Sequence, residues 1–396
     1  MKRAVPSLTA LAVFATIALI AQAPRERTDL ASKLDARLKS GETKLQYQDK
    51  WGYLQSLLKE LDINVDSQVL VFSRTSLQQD KISPKAPRAL YFNDTIAVGA
   101  VQNGGLFEIA AADPGDGTIF YTLDTKKVDS PHLDRDQSLC LACHGHYWVP
   151  HAFVATVYPG VDGSPFFMGG ELFNVTDHRS PFESRWGGWY VSGTHGKMKH
   201  LGNAVARNPY RPVELETKGT QNLTNLSSKF DTSKYLLPTS DLIALMTLEH
   251  QTKAVYLMAA LSAQFRAVGN SSIPVAKRPT EESLNAAVED LVSYLTFADE
   301  AKLTSPIKGV STFTQTFPKR GPRDSKGRSL RDFNLKTRMF QYPLSYTVYT
   351  EIFDKMDPRA LERVYRRLYE ELSKPDKRAA LEILRDTKPD LPNYWR

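Results

Sequence analysis

The sequence predicts an α+β fold, with an antiparallel, β-rich N-terminal half and a mainly helical C-terminal half. Three observations predict it. Short β-branched and aromatic runs, separated by Asn-Gly and Asp-Gly turns, fill residues 69–123. Glycines at 160, 163, 169, 170, 187 and 188 break the following segment into short pieces. From residue 241 onward, apolar residues recur at spacings of three and four over stretches free of glycine.

Taken in order, residues 25–62 read as helical, with Tyr47, Trp51, Leu54, Leu58 and Leu61 on one face. Val69–Ser73, Arg88–Phe92, Ile96–Val101, Phe107–Ala111 and Thr118–Leu123 read as strands, with Asn103-Gly104-Gly105 and Asp116-Gly117 as hairpin turns. Further strands are expected at Phe153–Tyr158, Phe166–Met168, Glu171–Val175 and Trp189–Ser192. Asp241–Arg266 reads as a long helix, and Thr280 caps another that carries Leu284, Val288, Leu291 and Leu295. Two more helices follow at Leu361–Leu372 and Lys377–Leu384, and Pro389 and Pro392 end regular structure. At about 150 residues per domain, the 396-residue chain is long enough for two or three lobes. The expected organisation is an N-terminal segment at 1–23, a helical segment at 24–64, a β-rich region at 65–235, and a mainly helical region at 236–396.

The N-terminal segment has the pattern of an export signal. Lys2 and Arg3 precede an apolar run from Leu8 to Ala21, and Ala21-Gln22-Ala23 offers a small-x-small cleavage site. Pro24 would follow the cut, a position where proline is poorly tolerated, so an uncleaved N-terminal anchor is the alternative. The run is shorter than the roughly 20 apolar residues a full span takes. Either way the remainder of the chain is expected outside the cytoplasm, in the periplasm, with membrane association only through this segment.

The net charge of +7 drops to +5 without Lys2 and Arg3, which does not argue for nucleic acid. Basic residues do cluster at 308–338, as Lys308, Lys319, Arg320, Arg323, Lys326, Arg328, Arg331, Lys336 and Arg338, opposed only by Asp324 and Asp332. Gly321, Pro322 and Gly327 mark that stretch as a loop. It reads either as a docking surface for an acidic redox partner protein or anionic lipid, or as a solvated loop.

The most specific motif is Cys140-Leu141-Ala142-Cys143-His144, which uses both cysteines in the chain. C-x-x-C-H is the attachment pattern of a c-type haem: each thiol adds to a haem vinyl group, and the adjoining histidine becomes an axial iron ligand. One such motif implies one haem c. Two other readings exist for the pair. A structural zinc site wants four ligands, often a second cysteine pair, and the chain has none. A thioredoxin-like dithiol does not explain His144.

All eight histidines lie between His132 and His250. His250 is the first candidate for a distal iron ligand, because it shares a helix face with Leu242, Met246, Ala254 and Met258. Its alternative is a core histidine hydrogen-bonded to a neighbour. Met246 is a fallback. The Gly193–Asn203 loop offers His195, Met198 and His200 as ligands or distal acid/base groups. His146 and His151 are expected near the haem carboxylates or solvent, and Met168 is a weaker ligand candidate. His178 and Arg185 have the residue types of a peroxidase-like distal pair. Trp148, Phe153, Trp186 and Trp189 are candidate pocket walls.

The motif resembles that of c-type cytochromes at large, though glycine-rich strands follow it, unlike the all-helical class I fold. Four longer stretches, Trp186–Val191, Gly193–Asn203, Leu248-Glu249-His250-Gln251 and Leu384–Trp395, are similar to those of a group of large exported bacterial single-haem proteins. The resemblance implies covalent haem on Cys140, Cys143 and His144, and no particular substrate. The expected function is therefore that of an exported monohaem c-type cytochrome passing electrons in the periplasm. The alternatives are a peroxidase-like haem oxidoreductase with an open distal iron position, and a haem-based redox or gas sensor.

Overall fold

The computed structural model describes residues 28–136, 138–145, 148–166, 173–208 and 214–395. The N-terminal half holds an antiparallel sheet and the C-terminal half is mostly helical, as expected of an α+β chain. Two short helices, α1 (Leu30–Lys39) and α2 (Leu54–Glu60), come first. The strands β1 (Val69–Val71), β2 (Arg88–Phe92), β3 (Ile96–Ala100), β4 (Leu106–Asp113), β5 (Gly117–Asp124) and β6 (Asp134–Asp136) follow. A four-residue helix, α3 (Leu141–His144), leads to β7 (Val154–Thr156), β8 (Tyr158–Pro159), β9 (Pro165–Phe166), β10 (Asn174–Thr176) and β11 (Trp189–Tyr190). The rest is α4 (Leu242–Val268), α5 (Glu281–Leu295), α6 (Phe313–Thr316), α7 (Glu351–Asp354), α8 (Pro358–Leu372) and α9 (Arg378–Thr387). The main sheet has the order β11-β1-β2-β3-β4-β5-β6 with every pair antiparallel, while β7 pairs β10 and β8 pairs β9.

Two-residue alternation gives this sheet two different faces. One face carries Tyr91, Val98, Phe107, Ile109, Ile119, Tyr121 and Leu123, which form a core with Leu34 of α1 and Leu57 and Leu58 of α2. On the other face, Val69, Val71 and Phe92 join the larger core built around α4. In the middle of that second face the register lines up Leu90, Gly99 and Glu108, and beside them Phe92, Ala97, Ala110 and Phe120. Alanine and glycine there leave the face hollow.

Helix α4 is buried on nearly all sides and packs against α5, α7, α8, β5 and β7. Its N-cap, Asp241, is fully buried and saturated. One carboxylate oxygen accepts from the N–H groups of Ile243 and Ala244, the other from those of Val310 and Ser311. Glu249 and Arg185 form a buried ion pair at 3.1 Å.

The sequence reading differs from the structure in several places. Residues 40–53 are not helical: α1 stops at Ser40-Gly41, where Gly41 has φ +76°, and Gln48 bridges to Gly52. The apolar spacing through Tyr47 and Trp51 reflects packing of an irregular segment against the sheet. Strand β6 escapes the periodicity because Asp134-Arg135-Asp136 is polar and exposed at the sheet edge. The basic stretch contains α6 and a following 3₁₀ turn, Phe317–Arg320. Among the described residues, no helix is long and apolar enough to cross a membrane. The expected signal or anchor at 1–23 lies outside the described residues.

Replacing Asp241 by alanine leaves buried N–H groups of two segments without an acceptor. It should lower unfolding stability by on the order of 3 kcal/mol, measured by denaturant titration. Asp241→Asn, which keeps one acceptor oxygen, should lose less.

Candidate haem site

The hollow face of the sheet forms the floor of a cavity of about 430 Å³, within the roughly 300–1,000 Å³ of typical cofactor pockets. Ala97, Gly99, Ala110 and Phe120 line the floor, Phe153, Val154 and Trp189 a wall, and Leu248 and Thr252 of α4 the opposite side. Cys140, Cys143 and His144 lie at its edge. Both cysteines are free thiols, with Cys143 exposed and Cys140 half-buried. Leu77 and Leu139 line the same edge and are 40% and 62% exposed, so a flat apolar group seated there would cover them.

The sheet holds the motif on its N-terminal side through β6. Asp136 accepts from the N–H groups of Ser138, Leu139 and Cys140, fixing the turn into α3. Against the effect of partial burial, a hydrogen bond from the Cys140 thiol and these main-chain bonds keep the Asp136 carboxyl below the usual carboxylate range. Burial, then the hydrogen bond and charge of Asp136, push the Cys140 thiol up, so it is held protonated. Cys140 is the N-cap of α3 with helical backbone angles, so the i, i+3 spacing puts both thiols on one side of the helix.

His144 stands between the rings of Phe120 and Phe153, at centroid distances of 4.8 and 4.7 Å. Its Nδ1 lies 2.8 Å from the main-chain oxygen of His151. A carbonyl can only accept, so Nδ1 carries the proton and Nε2 keeps the lone pair that a metal ligand needs. Burial lowers the His144 pKa, which keeps the ring neutral. An apolar cavity, two thiols at its edge, and a neutral imidazole oriented by a carbonyl together fit a haem c. Cys140 and Cys143 would hold it and His144 would ligate the iron.

The other proposed ligands are placed elsewhere. His250 is on α4 with Leu248 and Thr252, but at 100° per residue it is turned about 200° from Leu248. Both of its ring nitrogens are engaged, Nδ1 with His178 at 2.8 Å and Nε2 with Ser345 at 2.7 Å. The core alternative therefore describes its geometry, and it does not line the cavity. Met246 is buried in the same core. His195 is held by the Met198 oxygen and the Asn222 N–H, and His200 Nδ1 accepts from Gly202. The two rings pack on each other and on Phe182, away from the cavity lining. His178 and Arg185 are joined to His250 and Glu249 in the helical core, so they make no distal pair at this cavity. His151 is buried against Phe153 and Tyr256. Trp189 and Phe153 are cavity walls, Trp186 is core, and Trp148 is exposed. His146 and Met168 lie outside the described residues. Among the described lining residues, His144 is the only histidine and there is no methionine.

Sequence reasoning missed the floor and one charged pair. The floor was signalled by small residues at every second position, Ala97 with Gly99 and Ala110 with Ala112. Arg88 and Glu108, on β2 and β4, form an ion pair at 2.6 Å in the cavity wall. Burial would raise the Glu108 pKa, but Arg88 and the bonds from Gln78 and Ser76 bring it below its ordinary value.

The basic loop is largely neutralised within the chain. Arg320 pairs with Asp62, Arg323 with Asp332, Lys326 and Arg328 with Glu382, Arg331 with Asp94, and Arg338 with Glu300. No family model, curated protein or solved structure matches this chain.

Burial holds the pKa values of His151, His200 and His250 at about 3. The unfolded chain titrates these groups near 6.5 and so binds more protons below that pH. Stability should be intact above about pH 6.5 and fall as pH drops toward 3, by up to ~1.4 kcal/mol per pH unit for each histidine. His200→Asn should make the decline between pH 6.5 and 4 shallower, as followed by urea unfolding at a series of pH values.

Proposed function

We propose that this chain is an exported monohaem c-type cytochrome that carries electrons in the periplasm. The observation that carries the reading is the state of His144. It sits in an attachment motif at the edge of an apolar cavity, with Nδ1 tied to a main-chain oxygen and Nε2 left to donate. Bound haem would supply reversible one-electron chemistry at its iron. The chain's own part is to hold the macrocycle by two thioethers, exclude water with aliphatic and aromatic walls, and orient the axial imidazole. The exposure of Leu139, Cys143 and Trp148 supports a macrocycle edge close to the surface, where a redox partner could approach. Export is supported by the pattern of residues 2–23, since haem c is attached outside the cytoplasm.

A second reading is favoured by one observation. The described lining offers no second imidazole or thioether opposite His144. An iron without a protein ligand on that side would bind a small molecule, as in a haem oxidoreductase or a gas sensor.

Expression in a host that attaches haem c should give a chain whose haem survives acid–acetone extraction. Cys140→Ala with Cys143→Ala should abolish that retention. A wild-type chain without covalent haem would overturn the proposal and revive the zinc and dithiol readings. The visible spectrum of the reduced protein separates the two roles. A low-spin spectrum indifferent to carbon monoxide supports the carrier, and a high-spin spectrum that shifts with carbon monoxide supports the open site.

A further inference from the structure

The His151 main chain that orients His144 is itself held by the sheet. The loop after α3 folds back so that His151 N–H donates to the His144 oxygen at 3.2 Å, while the His144 ring bonds the His151 oxygen. On either side of His151 the chain is tied to a single residue, Thr118 at the start of β5. Its main-chain N–H donates to the Pro150 oxygen at 2.8 Å. Its hydroxyl accepts from the Ala152 N–H at 3.3 Å. The preceding Gly117 makes the approach possible: its φ is +83°, and a Cβ there would stand 2.5 Å from the Pro150 oxygen. Across the loop, the His151 ring packs on Tyr256 of α4 at 4.3 Å.

We propose that Thr118 is a positioning residue for the axial histidine: by gripping Pro150 and Ala152 it fixes the His151 carbonyl on the His144 Nδ1–H. The inference rests on the reading of His144 as an iron ligand. A carbonyl held firmly on Nδ1–H makes the imidazole a stronger donor at Nε2. A stronger axial donor favours the oxidised iron and lowers the reduction potential. Thr118 does not line the cavity and bonds Pro150 and Ala152 rather than the imidazole, so its effect would reach the iron through this geometry. The hydroxyl is the part of the grip that a substitution can remove without changing the main chain.

The test uses the full-length haem-loaded protein and two near-isosteric variants. Thr118→Val removes the acceptor for Ala152 N–H and keeps the shape, while Thr118→Ser keeps the acceptor. The readouts are the midpoint potential and the iron–histidine vibration of the reduced form. The valine variant should show an upward shift in potential and a lower vibrational frequency, with the serine variant close to wild type. If the valine variant does not accumulate, Thr118→Ala takes its place, with the same expectation. A valine or alanine variant that matches wild type in both readouts overturns the inference, and so does a serine variant that shifts as far as valine. Those results leave the haem reading standing. A wild-type chain with no covalent haem removes both.

Discussion

The organising constraint is the hollow in one face of the sheet. Protein interiors are packed as densely as organic crystals, with few voids larger than a water molecule. On the other face of the same strands Val98, Ile109 and Ile119 pack into a core with residues of α1 and α2. On the hollow face, Ala97, Gly99 and Ala110 stop short, and residues of α4, β7 and β11 complete the walls of a 430 Å³ cavity. Leu90, Phe92 and Phe120 stand on the same face around these small residues, and the Cys-x-x-Cys-His motif lines the space so created.

The motif's geometry follows from the strands that make this floor. Strand β6 is short and polar, yet its last residue, Asp136, sets the turn into α3 by taking three main-chain N–H groups. Strand β5 supplies Phe120 beneath the imidazole. A four-residue helix has no stability of its own, since nucleation is unfavourable and few bonds are gained. Its conformation comes from these contacts, so the sheet positions both the cavity and the groups that face it.

This division explains what was legible beforehand. The α+β class, the main strands of the sheet and the long α4 follow from local pattern, and Cys140, Cys143 and His144 from five adjacent residues. The position of His250 was not legible. Its spacing with Leu242, Met246, Ala254 and Met258 marks a buried helix face, but α4 is buried on several faces at once. One faces the cavity through Leu248 and Thr252, and another faces the helical core through His250. Periodicity gives the angle between those faces and says nothing about which one meets a cavity. The pairing of the basic stretch was not legible for a related reason: Asp62, Asp94, Glu300 and Glu382 come to it from far along the chain.

The Arg88–Glu108 pair completes the electrostatic picture of the cavity. Isolated, either charge in an apolar wall would be costly. Together they meet diagonally over β3, where Gly99 stands opposite Glu108 and a Cβ on it would lie 3.3 Å from a Leu90 methyl. Ser76 and Gln78 satisfy the remaining carboxylate valence from a loop. The pair therefore presents a dipole to the cavity and no net charge. Its field reaches both Cys140 and His144, where Arg88 and Glu108 act with opposite sign. Removing one partner would leave an unpaired charge beside the motif and alter both the stability of the wall and the potential at the imidazole. Gly99 thus hollows the floor next to a balanced ion pair, so that the cavity and a partly buried charge pair share one sheet face.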